Sequence, residues 1–284
     1  MIRIFRVLPA LLLLLPAPVL AWSSYAHRLS ARITMAHLSP TARTEVRRIL
    51  ARGGAAATPQ CRLASFEDAS TWPDCVRNDK ERFGHTAPWH YQNLNVCQPF
   101  DITAKCPDGD CVTAQVPRHL AVLKNRKASP TERAAALAYF IHFMQDLHQP
   151  MHVGDKGDRG GNDQAVAYGA YAPPWLNLHG IWDNALAERS LTEPPAIAPA
   201  SPTPAEQRLW QQGSIEDWAR EGWEISRTIA YPGLPGVPDA CSIPSRERAQ
   251  IDQAYLGAAR DSIRLQVQRS GIRTAMLLNK ALAR

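Results

Sequence analysis

Beyond its first 21 residues the chain has no apolar run approaching the roughly 18 residues of a membrane helix, which excludes a helical membrane span there. It has no internal repeat and no heptad, which excludes a solenoid or a long coiled coil. No N-x-[ST] sequon occurs, so there is no acceptor for an N-glycan. Charge of one sign is not in large excess. Lys and Arg number 32 against 26 Asp and Glu, a formal +6, which suits a polyanionic substrate and ordinary solubility alike. Cysteine is scarce, and Cys97, Cys106 and Cys111 are not spaced C-x2-C, which argues against a cysteine zinc cluster.

What is present begins with a leader. Arg3 and Arg6, the apolar Leu11 to Leu15 and the small-residue end Val19-Leu20-Ala21 read as a secretory signal peptide over 1–21. Residues 22–284 then form the mature chain, starting at Trp22 and secreted or periplasmic. All of its cysteines, Cys61, Cys75, Cys97, Cys106, Cys111 and Cys241, lie in that part. An even number in an exported chain predicts up to three disulfides, whose pairing the sequence leaves open.

The mature chain is of a length that suits one domain with a substantial core. Helical spacing of apolar residues predicts helices over 24–38 and 40–52, the second opened by Ser39-Pro40 and closed by Gly53-Gly54. Residues 131–148 are apolar almost all round and predict a central buried helix stopped by Pro150. Further helices are expected near 179–190, 206–230 and 246–283. Residues 55–130, 153–178 and the Pro/Ala-rich 192–205 read as irregular. The fold class is therefore all-α, a single mainly helical domain whose long loops build the site.

The segment FIHFMQDLHQPMH at 140–152 carries His142, Asp146, His148 and His152, and LHGIWD adds His179 and Asp183. His142 and Asp146 are one helical turn apart, as are His179 and Asp183, so each pair shares a face. A charged Asp in so apolar a helix needs a cation or a partner. Imidazole and carboxylate together are the donor set that suits zinc. A set of core histidines bonded to carboxylates explains one such pair but not two pairs plus His152. His148 points away from the His142–Asp146 face and reads as a supporting donor or a core residue. Upstream, Trp22, His27, Asp74 and His90 are further donors. A free amine at Trp22 would chelate a metal together with its carbonyl oxygen.

WSSYAH at 22–27, ASTWPDCVR at 69–77, WHYQN at 89–93, the run 140–162 and NLHGIWDNAL at 177–186 together resemble the S1/P1 nuclease family of zinc enzymes, relatives of the bacterial zinc phospholipase C. The resemblance covers essentially the whole mature chain and implies three zinc ions in one cleft. By that resemblance Asp74, His90, His142 and Asp146 hold the first zinc. His152, His179 and Asp183 hold the second. Trp22 and His27 hold the third, with Asp146 reaching it as well. On the substrate side it implies a phosphate contact for Arg77 and base or phosphate contacts for Tyr91, Asn93 and Asn184. Ser23, Ala26 and Pro73 depart from the family's common residues and bear on pocket shape, not on ligands. The missing sequon resembles bacterial members more than plant or fungal ones.

The implied reaction is hydrolysis of single-stranded DNA and RNA to 5′-phosphorylated products, together with 3′-nucleotidase activity, by a monomer. Asp74 would also orient the attacking water or share its proton. The rival reading is a phospholipase C, for which Tyr168, Tyr171 and Trp175 in the glycine-rich loop would serve as a membrane contact. In that relative the last ligand is typically Glu, whereas here it is Asp183. A non-enzymatic zinc or nucleic-acid binding module predicts binding without turnover.

Overall fold

The structure, a computed structural model, describes residues 22–199, 202–235, 237, 239–241 and 248–283. The signal peptide expected over 1–21 lies outside the described residues. Helix α1 (Ser24–His37) starts where the Ser23 hydroxyl accepts the Ala26 N–H. Helix α2 (Pro40–Arg52) starts from Ser39 with Pro40 in its first turn and stops at Gly53. Residue 53 must be glycine, because a Cβ there would lie 2.0 Å from the Ala134 Cβ.

The stretch expected to be irregular holds two substantial helices, a correction to the sequence reading. Helix α3 (Phe66–Val76) opens on a reciprocal cap between Ser65 and Asp68 and runs through Pro73. A short α4 (Lys80–Phe83) follows, then a 3-10 segment ending at His90, strand β1 (Leu94–Asn95) and α5 (Val112–Lys124), which contains Pro117. Both prolines disfavour a helix interior locally. Packing of α3 and α5 onto the next helix overrides that preference.

That next helix is α6 (Pro130–Asp146), capped by Ser129 and Glu132. From Ala136 to Asp146 every residue is buried, because α2, α3, α5 and the C-terminal helix surround it. The chain turns at Pro150 into α7 (Pro150–Val153) and strand β2 (Gly154–Asp155), which lies parallel to β1. Strand β3 (Val166–Tyr168) leads to α8 (Leu178–Asp183) and α9 (Ala185–Thr192), which divide one expected helix at Asn184. Helices α10 (Pro204–Trp210) and α11 (Ile215–Ile225) likewise divide another, at Gly213, whose φ is +87°, and Ser214 and Asp217 cap the restart. Strand β4 (Ala249–Ile251) pairs with β3, and the 30-residue α12 (Gln253–Leu282) closes the molecule.

The helix α12 crosses α1 closely through small residues. Ser30 and Ser270 hydroxyls bond at 2.7 Å, and a Cβ on Gly271 would meet Ile33 at 2.6 Å. One apolar cluster surrounds α6 through Trp72, Leu137, Phe140 and Phe143. A second joins α1, α8 and α12 through Trp22, Ile33, Trp182 and Ile263. Disulfides join Cys61 to Cys75, Cys97 to Cys241 and Cys106 to Cys111. They fit an oxidising compartment. Among the described residues no helix is long and apolar enough to cross a membrane.

Candidate metal centre

The helices deliver the donors from both apolar clusters. α6 presents His142 and Asp146 at its end, and α8 presents His179 and Asp183. α3 supplies Asp74, α1 supplies His27 and α7 supplies His152. Pairing of β1 with β2 sets His90 against α7. Gln92 N–H donates to the His152 carbonyl at 2.7 Å, and His152 Nδ1 bonds the His90 carbonyl at 2.8 Å.

Three donor groups result: His27, Asp74 and His142; His90, His142 and Asp146; and His152, His179 and Asp183. Within each, the ligand atoms lie within 4.8 Å of one another. None of these residues is more than 8% exposed. Asp146 stands where the groups meet. Its Oδ2 is 2.9 Å from His90 Nδ1 and 3.1 Å from His142 Nε2, and its Oδ1 is 3.7 Å from His27 Nε2. Asp183 faces His152 Nε2 at 3.5 Å and His179 Nε2 at 3.3 Å. At the start of α1 the Ser23 N–H donates to the Asp183 carbonyl at 2.6 Å. Trp22, 2% exposed, is thereby held beside α8.

The rings are aimed by their other nitrogens. Nδ1 of His142 bonds the Ser70 carbonyl at 2.8 Å, that of His179 bonds Gly160 at 2.7 Å, and that of His27 bonds Gln145 Oε1 at 2.5 Å. Each acceptor fixes the proton on Nδ1 and leaves the Nε2 lone pair free, the usual support of a metal-binding histidine. The Gly160 carbonyl reaches His179 because residue 160 has φ +63°, and a Cβ there would lie 2.5 Å from the Met151 carbonyl.

Burial and charge pull in opposite directions here. Burial, then His142, pushes His27 down to about 4, and burial likewise pushes His90 down to about 4. Burial opposes charge on His152 too, but Asp146 and Asp183 outweigh it and raise the ring to about 9. Burial alone would raise Asp183, yet His179 and His152 bring it down to about 2. Asp146 is held well below the usual carboxylate range, His142 and His152 overcoming its burial.

The donor set fits a metal. His27 Nε2, His152 Nε2, Asp74 Oδ1, Asp146 Oδ1 and Asp183 Oδ2 are all buried without a hydrogen-bond partner, and His90 turns its Nδ1 toward the same centre. Each such atom costs about 1–3 kcal/mol if left unpaired. Divalent cations satisfy them together, and mixed imidazole and carboxylate donors suit zinc.

The S1/P1 Nuclease family matches residues 22–283, a span that takes in every donor just described. The chain belongs to the S1/P1 nuclease family. It is 25% identical to Endonuclease 2 of Arabidopsis thaliana, over 94% of this chain and 93% of that one. It is also 26% identical to Nuclease S1 of Aspergillus oryzae, over 43% of this chain and 42% of that one. With Nuclease P1 of Penicillium citrinum the identity is 25%, over 59% of each chain. S1/P1 nucleases are zinc enzymes that hydrolyse nucleic-acid phosphodiesters, and this chain is a nuclease on that ground.

Around this S1/P1 nuclease site the expected substrate-side residues take different places. Arg77 Nη2 is 3.3 Å from Asp74 Oδ1. Tyr91 is 41% exposed beside the buried His90. Asn93 lies near the Gly160 turn, where a Cβ on residue 160 would be 3.6 Å from its Oδ1. Asn184 Nδ2 donates to the Gly180 carbonyl at 3.0 Å. His148 belongs to the core. Its Nδ1 bonds the Met144 carbonyl at 2.7 Å and its Nε2 accepts from Arg273 at 2.9 Å. Two supporting residues escaped the sequence reading. Gln145 bonds His27, and Gln149 Nε2 donates to Asp183 Oδ1 at 2.6 Å. Their signal was present as amides inside the buried run that also carries the histidine and aspartate donors.

Proposed function

We propose that this nuclease cleaves single-stranded DNA and RNA to 5′-phosphorylated products, and removes 3′ phosphates from nucleotides. Its three zinc ions are held by the nine residues Trp22, His27, Asp74, His90, His142, Asp146, His152, His179 and Asp183. One observation carries the reading: unpartnered buried donor atoms from α1, α3, α6, α7 and α8 converge, with their rings aimed by Nδ1 bonds.

Bound zinc supplies Lewis-acid polarisation of the phosphate and a water that ionises near neutral pH. Asp74 orients that water or accepts its proton. Arg77, already beside Asp74, neutralises a phosphate oxygen. Water adds to phosphorus, the P–O3′ bond breaks, and the leaving oxygen departs as a 3′ hydroxyl. The exposed Tyr91 ring packs against a base, and Asn93 and Asn184 contact base or phosphate. A base in a duplex must be unstacked and unpaired to be presented in this way, which favours single strands.

The terminus has its own test. Removal of residues 1–21 frees the Trp22 amine for chelation, so one additional residue before Trp22 lowers zinc content and turnover. Equal values for the extended and mature forms refute that role. The reading as a whole is tested by product analysis. Zinc-loaded protein should cut a single-stranded oligonucleotide faster than its duplex, leave 5′ phosphates, and fail when chelated. Loaded protein that leaves the oligonucleotide intact overturns it. The second reading, phospholipase C, is favoured by Tyr171 at 47% exposure and Trp175 at 56%, in edge contact at 6.0 Å. Cleavage of choline phospholipid vesicles without oligonucleotide cleavage would place it first.

A further inference from the structure

The helix α6 runs from the metal centre to another part of the surface, about 24 Å over the steps from Asp146 back to Pro130. At that end lies a cavity of about 510 Å³, bounded by α2, the end of α5, the start of α6 and the end of α12. Arg48, Arg52, Lys124, Arg126 and Arg133 line it, and Glu45 is the carboxylate among its lining residues.

Glu45 is already engaged. It accepts two bonds from Arg48, at 2.7 and 2.5 Å, and lies 3.1 Å from Arg133. Arg133 is 8% exposed and is anchored further by the Leu123 carbonyl at 3.1 Å, yet its Nε is buried with no partner. Among the described residues Arg52, Lys124 and Arg126 make no side-chain hydrogen bond or ion pair. Five cations around one committed carboxylate leave a concentrated positive field in a concave, partly apolar site. Guanidinium groups match the planar spacing of two phosphate oxygens, and a phosphate oxyanion compensates such a field.

We propose that this cavity binds a phosphate group, separately from the metal centre. The phosphate belongs either to the backbone of a strand engaged at the metal centre or to a free phosphate or mononucleotide. Both sources offer guanidinium groups non-bridging phosphate oxygens, a backbone phosphodiester with one charge and a free phosphate with up to two. A distance of about 24 Å corresponds to ~7 nucleotides of a stacked strand at ~3.4 Å each, so a long strand can reach and a dinucleotide cannot.

The test uses zinc-loaded protein and inorganic phosphate, with sodium chloride at equal ionic strength as control. The Nε–H resonance of Arg133, assigned by its loss in Arg133→Lys, should shift saturably with phosphate. In Arg52→Glu/Arg126→Glu the shift should need about tenfold more phosphate. Arg52→Gln/Arg126→Gln should fall between, and unchanged circular dichroism and zinc content show that both variants fold. An Arg133 resonance that does not respond to phosphate, or responds equally in all three proteins, overturns the proposal. This titration stands whether or not the chain cleaves nucleic acid. A second measurement separates the sources. If the strand backbone is the ligand, KM for a strand of about 20 nucleotides rises about tenfold in the charge-reversed variant, with kcat unchanged. If KM stays constant while the phosphate response is lost, the ligand is free phosphate or a mononucleotide.

Discussion

Replacing Arg273 by Met should cost this protein about 3–5 kcal/mol of stability, although Arg273 touches none of the metal donors. Arg273 is 2% exposed and joins α12 to three other parts of the fold. It donates to Glu221 on α11 at 2.6 and 2.8 Å, to the Trp210 carbonyl at 2.7 Å, and to His148 Nε2 at 2.9 Å. Methionine keeps the apolar stem and removes every donor. The His148 Nε2 and Trp210 carbonyl acceptors lose their donor, at about 1–3 kcal/mol each. Glu221 is 30% exposed in its side chain, so its pair with Arg273 adds about 1 kcal/mol or less. Together these terms span about 2–7 kcal/mol, with about 3–5 kcal/mol as their middle. At about 2–4 °C per kcal/mol for a domain of this size, the melting temperature should fall by about 6–20 °C. Non-reducing denaturant and thermal unfolding of the zinc-loaded protein measure it. Adding His148→Leu to Arg273→Met should cost less than the two single losses combined, since one orphan then vanishes. A loss below about 1 kcal/mol for Arg273→Met, or strict additivity of the pair, refutes this account.

Other outcomes follow from the same geometry. Asp146→Ala should lose more zinc per chain than His179→Ala, because Asp146 faces two donor groups; full zinc content and normal turnover would refute its shared position. Removing the disulfide with Cys61→Ala/Cys75→Ala should cost about 3 kcal/mol, and should lower zinc content because Asp74 adjoins Cys75. Unchanged denaturant midpoint and zinc content would contradict that. His119, stacked on Tyr139 at 4.8 Å, is pushed down to about 4 by burial and then by Arg118. The unfolded chain takes up this proton near 6.5 and the folded chain does not, so stability is lost as pH falls from about 6.5 to about 4. His119→Phe should flatten the slope of stability against pH there by up to about 1.4 kcal/mol per unit, and an unchanged slope would show that His119 does not titrate in this way.

By itself the sequence determined what is local. His142 with Asp146 and His179 with Asp183 share faces because a helical turn puts residues four apart together, whatever surrounds them. Ser39-Pro40 and Pro150 marked helix ends because caps and proline act on the adjacent turn. The motifs, read together, were specific enough to indicate the family that the whole-chain comparison shows. Only the tertiary structure decided what joins distant segments. It made helices of the stretches through Pro73 and Pro117, since packing onto α6 outweighed a local preference. It chose three cysteine pairs among those possible. It carried Asp74 and His90 to the end of α6, and gave His148, which already faces away from them, Arg273 as its partner. Residue spacing governs which side chains share a face. Which faces then meet depends on how all the helices bury their apolar sides at once, and that is a property of the folded chain.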